Sequence, residues 1–492
     1  MNRKEIIIPA ASVLLYLVLI IPLTGCVIDD TYIHYQYARN LAEDGQLAFN
    51  RSVPSYGATS PLWVLLLAGG WKAGISMNAF SHFLSHLFAA LSIILIYRYM
   101  VKLGGDRYSA AAAALILSVE AWLLRWSSVG MESSFAVFMV IVVLLLSINS
   151  MKSVGRSILF GISLALASLA RPEVLLMVPL SILVMIIIRR EKLRYRLAWL
   201  IAFAALYSAW LILIKSHTGT YFPLTAGAKQ GWSFLSLAAL RRIALPVKII
   251  GATLFLPVMF SLVWLIIRGR FLVHERPFSH PLILPALWAF SLPAVYVIFD
   301  FNILSRYLLP VAPAIIVTGV MAVKELTGGG RKRGRLIMAV LVTLVLVQNL
   351  VFYFTVVVPP TSAFSQGVKE VLVPMGKWLK SNTPETAVVA TPDIGAVGFY
   401  SQREVLDLGG LVTPWINRMR DTLSVETIIK EGHFLSHRCN YLIDRDYRAA
   451  RLRGHTTGGV EFTPVMSDSV PNLGIRRQRT VIYTLYRLEP IR

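Results

Sequence analysis

From Leu336 to Val358 the chain carries no charged side chain. About 20 predominantly apolar residues in a helix cross the hydrocarbon core of a bilayer, and inside that core only a helix or a closed barrel satisfies its own backbone. The run therefore predicts a membrane-spanning helix. The same criterion picks out 6–27, 77–100, 108–124, 133–149, 156–170, 174–188, 197–214, 249–267, 282–299 and 307–323. Segments 156–170 and 174–188 are short and meet in a tight turn at Arg171-Pro172. Residues 61–71 are apolar but too few to cross, which predicts an interfacial or re-entrant piece. Composition points the same way: 15% of residues are charged, against about 25% in soluble domains, which excludes a soluble or a disordered chain. Two cysteines exclude a disulfide framework. After Pro359-Pro360 the pattern changes, and 386–390, 441–443 and 481–485 become strand-like runs bounded by Gly, Pro and Asp. The expected organisation is a polytopic α-helical membrane domain over 1–360, with about 11 transmembrane helices and an outer loop near 28–76. A C-terminal α/β domain over 361–492 follows it.

The net charge of +22 suggests nucleic acid until its distribution is read. With the N-terminus placed inside, Lys and Arg gather in alternate short loops. Arg189, Arg190, Lys192, Arg194 and Arg196 fill one; Lys324, Arg331, Lys332, Arg333 and Arg335 fill another. This is the positive-inside pattern. It predicts a cytoplasmic N-terminus, an extracytoplasmic C-terminal domain and no nucleic-acid partner. Arg3-Lys4, the apolar run and Leu23-Thr24-Gly25-Cys26 imitate a lipoprotein signal; the plainer reading is a first span that ends in small residues. A disulfide between Cys26 and Cys439 gets no support from the sequence.

Of the thirteen acidic residues within 1–360, seven are expected at outer ends of spans or in outer loops: Asp29, Asp30, Glu43, Asp44, Glu132, Glu173 and Asp300. Glu132, Glu173 and Asp300 are each expected near a helix N-terminus, where capping and the helix dipole account for a carboxylate. Asp29-Asp30 resists that account, because the expected first span would end there and the dipole disfavours anions at that end. An acidic pair so placed suggests function. The stretch 31–44 that follows spaces Ile33, Tyr37 and Leu41 on one helical face, as in a helix lying on the outer leaflet.

These residues resemble a family. Asp29-Asp30-Thr31-Tyr32-Ile33, Tyr37-Ala38-Arg39-Asn40-Leu41-Ala42 and Phe49-Asn50 are similar to the first outer loop of bacterial C-type glycosyltransferases with the GT-C fold. Those enzymes include the mycobacterial terminal arabinofuranosyltransferase and related mannosyltransferase-like membrane enzymes. The echoes continue in order: Tyr56 to Trp63; Gly130-Met131-Glu132-Ser133; Arg171-Pro172-Glu173; Pro223 to Lys229; Asp300 with Arg306-Tyr307-Leu308-Leu309-Pro310; Asp393 to Tyr400; and Leu406 to Leu411. Leu224 stands where many relatives have Asn, and Ser133 where Thr is common. The resemblance implies an enzyme of the bacterial inner membrane that takes a sugar from a polyprenyl-phosphate carrier on the outer face. Its acceptor would be a glycan, glycolipid or other envelope molecule, and an aspartate general base would invert the anomeric centre. Metal-independent chemistry is implied too; a divalent cation, Mg or Mn, at Asp29/Asp30 with Glu132 is the second option.

Such a transfer needs a base for the acceptor hydroxyl and positive charge for the departing phosphate. Adjacent helical residues point about 100° apart, so Asp29 and Asp30 are expected in different roles: one as base and the other to orient the acceptor, with Asp29 taken first as base and the reverse order left open. Arg306, Arg171, Lys229 and Arg39 are the candidate phosphate ligands, with Lys215 behind them. Arg306 and Arg171 lead because each is expected beside a carboxylate, Asp300 and Glu173. His34, Tyr32, Glu132, Glu173, Asp300 and Tyr307 complete the candidate substrate-binding set. Ion pairing, snorkelling and packing are the ordinary alternatives for these side chains. No phosphate loop and no zinc spacing occurs in the sequence. The rival reading is a lipid or lipid-sugar transporter, or a binding relative without the chemistry. Transporters carry repeated, interrupted helices or mid-bilayer charges; here no internal repeat is visible and the carboxylates gather at one face.

Overall fold

The computed structural model describes residues 3–51, 53–188, 191–221, 237–271, 281–328, 332–471 and 479–491. Each of the eleven apolar segments is helical over most of its length. Five helices are long and apolar enough to cross a membrane alone: Met77–Lys102, Leu193–Thr218, Arg242–Ile267, Ser305–Leu326 and the head of the continuous stretch Lys332–Asn382. Arg107–Val119 and Ala121–Ser127 qualify as a pair bent by 52°. At that bend side chains replace the missing helix bonds. The Glu120 carboxylate accepts from Leu123 N at 2.6 Å, and Asn349 Oδ1 accepts from Ala121 N at 3.0 Å. The remaining segments form shorter apolar helices.

Two expectations change here. The first span is shorter than 6–27: its helix is Arg3–Leu19, followed by a 3-10 turn Ile21–Leu23 and Gly25 at φ 70°. Asp29 and Asp30 therefore do not end that helix; they open the next one, Asp29–Asp44, with extended Ile28 before them. The prolines at 359 and 360 do not break the chain's helix either. Two π-helical turns, Tyr353–Val357 and Val368–Leu372, flank Val358–Gly367 and carry the helix onward to Asn382. Such turns loosen the ladder locally, which lets it accommodate a missing N–H donor.

The chain divides into two compact units. The first comprises 1–24, 82–210 and 230–357. Its helices approach closely where side chains are absent, the usual device when two apolar helices pack. A Cβ on Gly319 would lie 2.7 Å from Pro257 Cα, and one on Gly161 would lie 3.0 Å from Trp199 Cα. Pro257 also bends its own helix, Leu237–Phe271, where Leu254 leaves helical geometry at φ −126°, ψ 27°.

The second unit comprises 25–81, 211–229 and 358–492, so the loop expected with the membrane domain folds with the C-terminal sheet. The strands are β1 (Val388–Thr391), β2 (Glu404–Asp407), β3 (Tyr441–Asp446), β4 (Thr456–Thr457), β5 (Val460–Val470) and β6 (Val481–Pro490). Their order is β2-β1-β3-β6-β5-β4. β1 is parallel to β2 and to β3, and the rest of the sheet is antiparallel. The parallel core strands are continuously apolar, Val388-Val389-Ala390 and Val405-Leu406, as strands covered on both faces must be. Leu442, Phe434, Phe462 and Tyr486 pack with them. The β5 register slips between Pro464 and Met466, where proline has no N–H for the ladder.

Candidate active-site residues

The second unit holds the acidic pair. Both aspartates lie in the first helical turn, where unpaired N–H groups favour negative charge. The dipole argument for a functional pair thus falls away, and a more specific one replaces it. Asp29 is 6% exposed. Its Oδ2 accepts from Gly395 N at 2.9 Å and its Oδ1 accepts from Ala396 N at 2.8 Å. These donors open the helix Gly395–Ser401. Next to them Asp393 receives Arg445 Nη1 on both carboxylate oxygens, at 2.9 and 2.8 Å, and the Tyr483 hydroxyl at 2.9 Å. Burial and then the Asp393 charge push the Asp29 carboxyl up to about 7, against the pull of the two backbone donors. The Asp393 charge in turn raises the pKa of Arg445. Asp30 is only partly buried.

The rest of Asp29–Asp44 is buried through Asn40, so it is not the one-sided surface helix expected from its spacing. Tyr32 meets Tyr35 and Tyr400 edge-on, each with centroids 5.4 Å apart. His34 is buried. Arg39 donates to the Phe399 carbonyl at 2.9 Å, stacks 4.9 Å from that ring and reaches Gln36 Oε1. Its charge fastens the helix to Gly395–Ser401. Asn40 Nδ2 donates to the Ala48 and Phe49 carbonyls. Nearby, buried Asp407 accepts from the backbone N–H groups of Gly409, Leu411 and Val412, and burial raises its carboxyl to about 6. Cys26 and Cys439 are both buried and are not joined in a disulfide. Lys215 donates to the Tyr221 hydroxyl at 2.8 Å. Lys229 and the rest of the Pro223–Lys229 patch lie outside the described residues.

In the first unit a second cluster forms from sequence-distant patches. Arg171 is 2% exposed and stands in extended backbone between the helix Val154–Ala170 and the 3-10 turn Pro172–Leu176. It pairs with Glu132 and holds Glu173 as a fork, Nη2 to Oε1 at 2.9 Å and Nε to Oε2 at 3.3 Å. Glu132 precedes the helix Ser133–Ser147 but makes no side-chain cap bond; its charge goes to Arg171. The Tyr307 ring lies 5.2 Å from the guanidinium of Arg171 and 5.2 Å from that of Arg306. Asp300 is elsewhere. It follows the C-terminal end of Ile283–Ile298, at φ 52°, and pairs with Arg242 Nε at 3.1 Å. Arg306 therefore has aromatic neighbours, Tyr307 and Trp126, in place of the expected Asp300.

Geometry adds residues to which the sequence assigned no role. Asp393, held by Arg445 and Tyr483, places its charge near Asp29, and Arg125 lies beside Trp126. Asp393 stood in a run already noted for its resemblance; Arg445 and Tyr483 had no sequence signal, since only sheet pairing brings them to Asp393. Among the described residues no three His, Cys, Asp or Glu side chains converge as a metal site.

No curated protein matches this sequence. A domain family described as a domain of unknown function, DUF8728, matches residues 363–483. Solved structures are similar in three dimensions. ArnT from Cupriavidus metallidurans bound to undecaprenyl phosphate superposes with a TM-score of 0.60 at 14% identity, over 97% of each chain. The Archaeoglobus fulgidus oligosaccharyltransferase AglB, in complex with an inhibitory peptide and a dolichol-phosphate, gives 0.59 at 12% identity, over 90% of this chain and 69% of that one. The arabinofuranosyltransferase AftD from Mycobacteria gives 0.56 at 15%, over 99% of this chain but only 40% of AftD. The chain has the fold of these proteins, the GT-C fold.

Proposed function

We propose that this protein is an integral-membrane glycosyltransferase that moves a sugar from a polyprenyl-phosphate carrier to an acceptor hydroxyl, with inversion and with Asp29 as general base. The observation that carries the proposal is the fold shared with ArnT bound to undecaprenyl phosphate; the dolichol-phosphate on the similar AglB chain adds to it. The acceptor oxygen bonds to the anomeric carbon as the carbon–oxygen bond to phosphate breaks. The electron pair leaves with the polyprenyl phosphate, and the acceptor proton passes to Asp29. The balance needs no redox partner. Each carboxylate oxygen has two lone pairs, so Asp29 retains one on each after accepting from Gly395 and Ala396. A base titrating near 7 matches proton transfer at neutral pH. Asp30, adjacent and more exposed, orients the acceptor.

In this reading Arg306 and Tyr307 meet the donor phosphate, while Arg171 is held by Glu132 and Glu173 and positions Tyr307. The acceptor is an envelope glycan or glycolipid on the outer face of a bacterial cytoplasmic membrane, with the N-terminus inside and the sheet-bearing unit outside. The transfer is read as metal-independent, with the Gly395 and Ala396 N–H groups stabilising the Asp29 carboxylate.

The test is transfer of labelled sugar from a panel of polyprenyl-phosphate sugars by the detergent-solubilised protein. Release of polyprenyl phosphate with an inverted glycosidic product supports the proposal. Binding of lipid phosphate with no donor consumed, together with lipid translocation in vesicles, would establish the transporter reading instead.

A further inference from the structure

Helix ends of the first unit gather near Tyr108. Met77–Lys102 stops and Arg107–Val119 starts on one side; Ala312–Leu326 stops and Lys332–Phe352 starts on the other. Lys324 Nζ donates to the Gly104 carbonyl and ties the two connections together. The Tyr108 hydroxyl accepts from Arg107 Nη2 at 2.7 Å and from Arg335 Nη1 at 3.5 Å. Both guanidiniums also face the Tyr108 ring, 4.8 and 5.5 Å from its centre. Neither arginine forms an ion pair among the described residues. The carboxylates beside them in the chain are engaged elsewhere. Asp106 Oδ1 accepts from Ser109 N at 2.9 Å and from its hydroxyl at 2.8 Å, and Glu325 Oε2 accepts from Trp264 Nε1 at 2.7 Å.

Charges that only fix the orientation of a membrane chain need no common partner; these two share one. Each stands in the first turn of its helix, where the dipole disfavours a cation, and two guanidiniums on one ring repel each other. A phosphate between them turns that repulsion into attraction, and the planar fork of Arg matches its oxygens. The Tyr108 hydroxyl accepts from both arginines, which leaves its own hydrogen for a further oxygen. The neighbouring surface favours a lipid over free phosphate. Val101, Tyr108 and Leu336 are exposed, and Leu336, Val340 and Leu344 continue along Lys332–Phe352 as an exposed apolar stripe at helical spacing. We propose that Arg107, Arg335 and the Tyr108 hydroxyl bind the headgroup phosphate of an anionic phospholipid, with an acyl chain along Leu336, Val340 and Leu344. Basic residues where helices meet at a membrane surface suit such a headgroup. The inference uses none of the residues assigned to sugar transfer and stands apart from that reading.

The experiment measures binding of phosphatidylglycerol, phosphatidylcholine and inorganic phosphate to the full-length detergent-solubilised protein, alongside the melting temperature without added lipid. Wild type is compared with the double variants Arg107→Gln with Arg335→Gln, Arg107→Lys with Arg335→Lys, and Lys152→Gln with Arg156→Gln. The last pair removes the same charge from another exposed helix start. Wild type should prefer phosphatidylglycerol to phosphatidylcholine, and the Arg107/Arg335 Gln pair should weaken phosphatidylglycerol binding at least about tenfold. The Lys pair should keep part of the affinity, and the Lys152/Arg156 pair should stay within about twofold of wild type. The lipid-free melting temperature of the Gln pair should hold or rise, because mutual repulsion has gone. Unchanged affinity in the Gln pair overturns the proposal. An equal loss in the Lys152/Arg156 pair also overturns it, since a diffuse positive surface then suffices. So does a Lys pair that binds as poorly as the Gln pair and melts lower than wild type, which marks packing residues. Equal binding of phosphatidylcholine, or displacement of phosphatidylglycerol by inorganic phosphate alone, rules out an anionic-lipid site.

Discussion

A methyl group added at Gly395 would lie 3.0 Å from the Asp29 Cγ and collide with the Asp29 carbonyl oxygen. That closeness lets the Gly395 and Ala396 N–H groups reach both carboxylate oxygens of Asp29. Two segments separated by 366 positions in the chain thus share one hydrogen-bonded corner, and the position of the proposed base is set by the absence of a side chain opposite it.

Gly395→Ala is expected to move Asp29 and so to lower the transfer rate at least about tenfold, a misplacement effect of the kind that small shifts produce. The melting temperature should fall as well, since the backbone must give way. Normal transfer in Gly395→Ala would show that the close approach is not needed for chemistry.

The pH dependence of activity and of stability should oppose each other. Asp29 has its folded pKa raised to about 7, above the unfolded value near 3.9. The folded chain therefore holds this proton more tightly. The stability it contributes is complete below about 4 and is lost as pH rises through about 7. The base is competent only when ionised, so kcat/KM should rise through that upper limit while melting temperature declines. Arg445→Met leaves Asp393 less compensated and should shift the acidic limb of the rate profile to higher pH. A shift to lower pH would contradict the electrostatic account.

Removing one member of the Arg171 cluster leaves a buried charge without its partner. Arg171→Met should cost about 3–5 kcal/mol, the range for breaking a buried pair from one side, and thermal unfolding in detergent reads it. The triple variant Arg171→Met, Glu132→Gln, Glu173→Gln should recover part of that loss. A neutral effect of Arg171→Met alone would mean that the pairs contribute no more than surface ones.

Chelation provides a fourth check. Transfer should survive EDTA within about twofold and should not be stimulated by Mg or Mn, because the Asp29 carboxylate is organised around N–H donors. An activity abolished by EDTA and restored by Mn would overturn the metal-free mechanism.

The apolar helices were legible because length and lack of charge alone define them, as in 336–358. The strands at 388–391, 441–446 and 481–490 were legible from β-branched and aromatic runs. The end of the first helix was not. Gly25 turns the chain at φ 70° within an apolar run, and composition does not register a backbone turn. The change of pattern after Pro359-Pro360 does not coincide with the end of a helix, because flanking π-helical turns carry the helix past them. Sequence proximity suggested Asp300 for Arg306; the left-handed backbone at Asp300 accompanies its pairing with Arg242 instead. The Asp29 corner and the Arg125–Trp126–Arg306 stack depend on long-range contacts, which no local pattern encodes.

The most direct test of the account compares wild type, Asp29→Asn and Asp30→Asn for transfer of labelled sugar, with binding of undecaprenyl phosphate as the control for folding. The account predicts a loss of at least about a hundredfold in Asp29→Asn, with carrier binding retained and Asp30→Asn affected less. Transfer by Asp29→Asn within tenfold of wild type would contradict it.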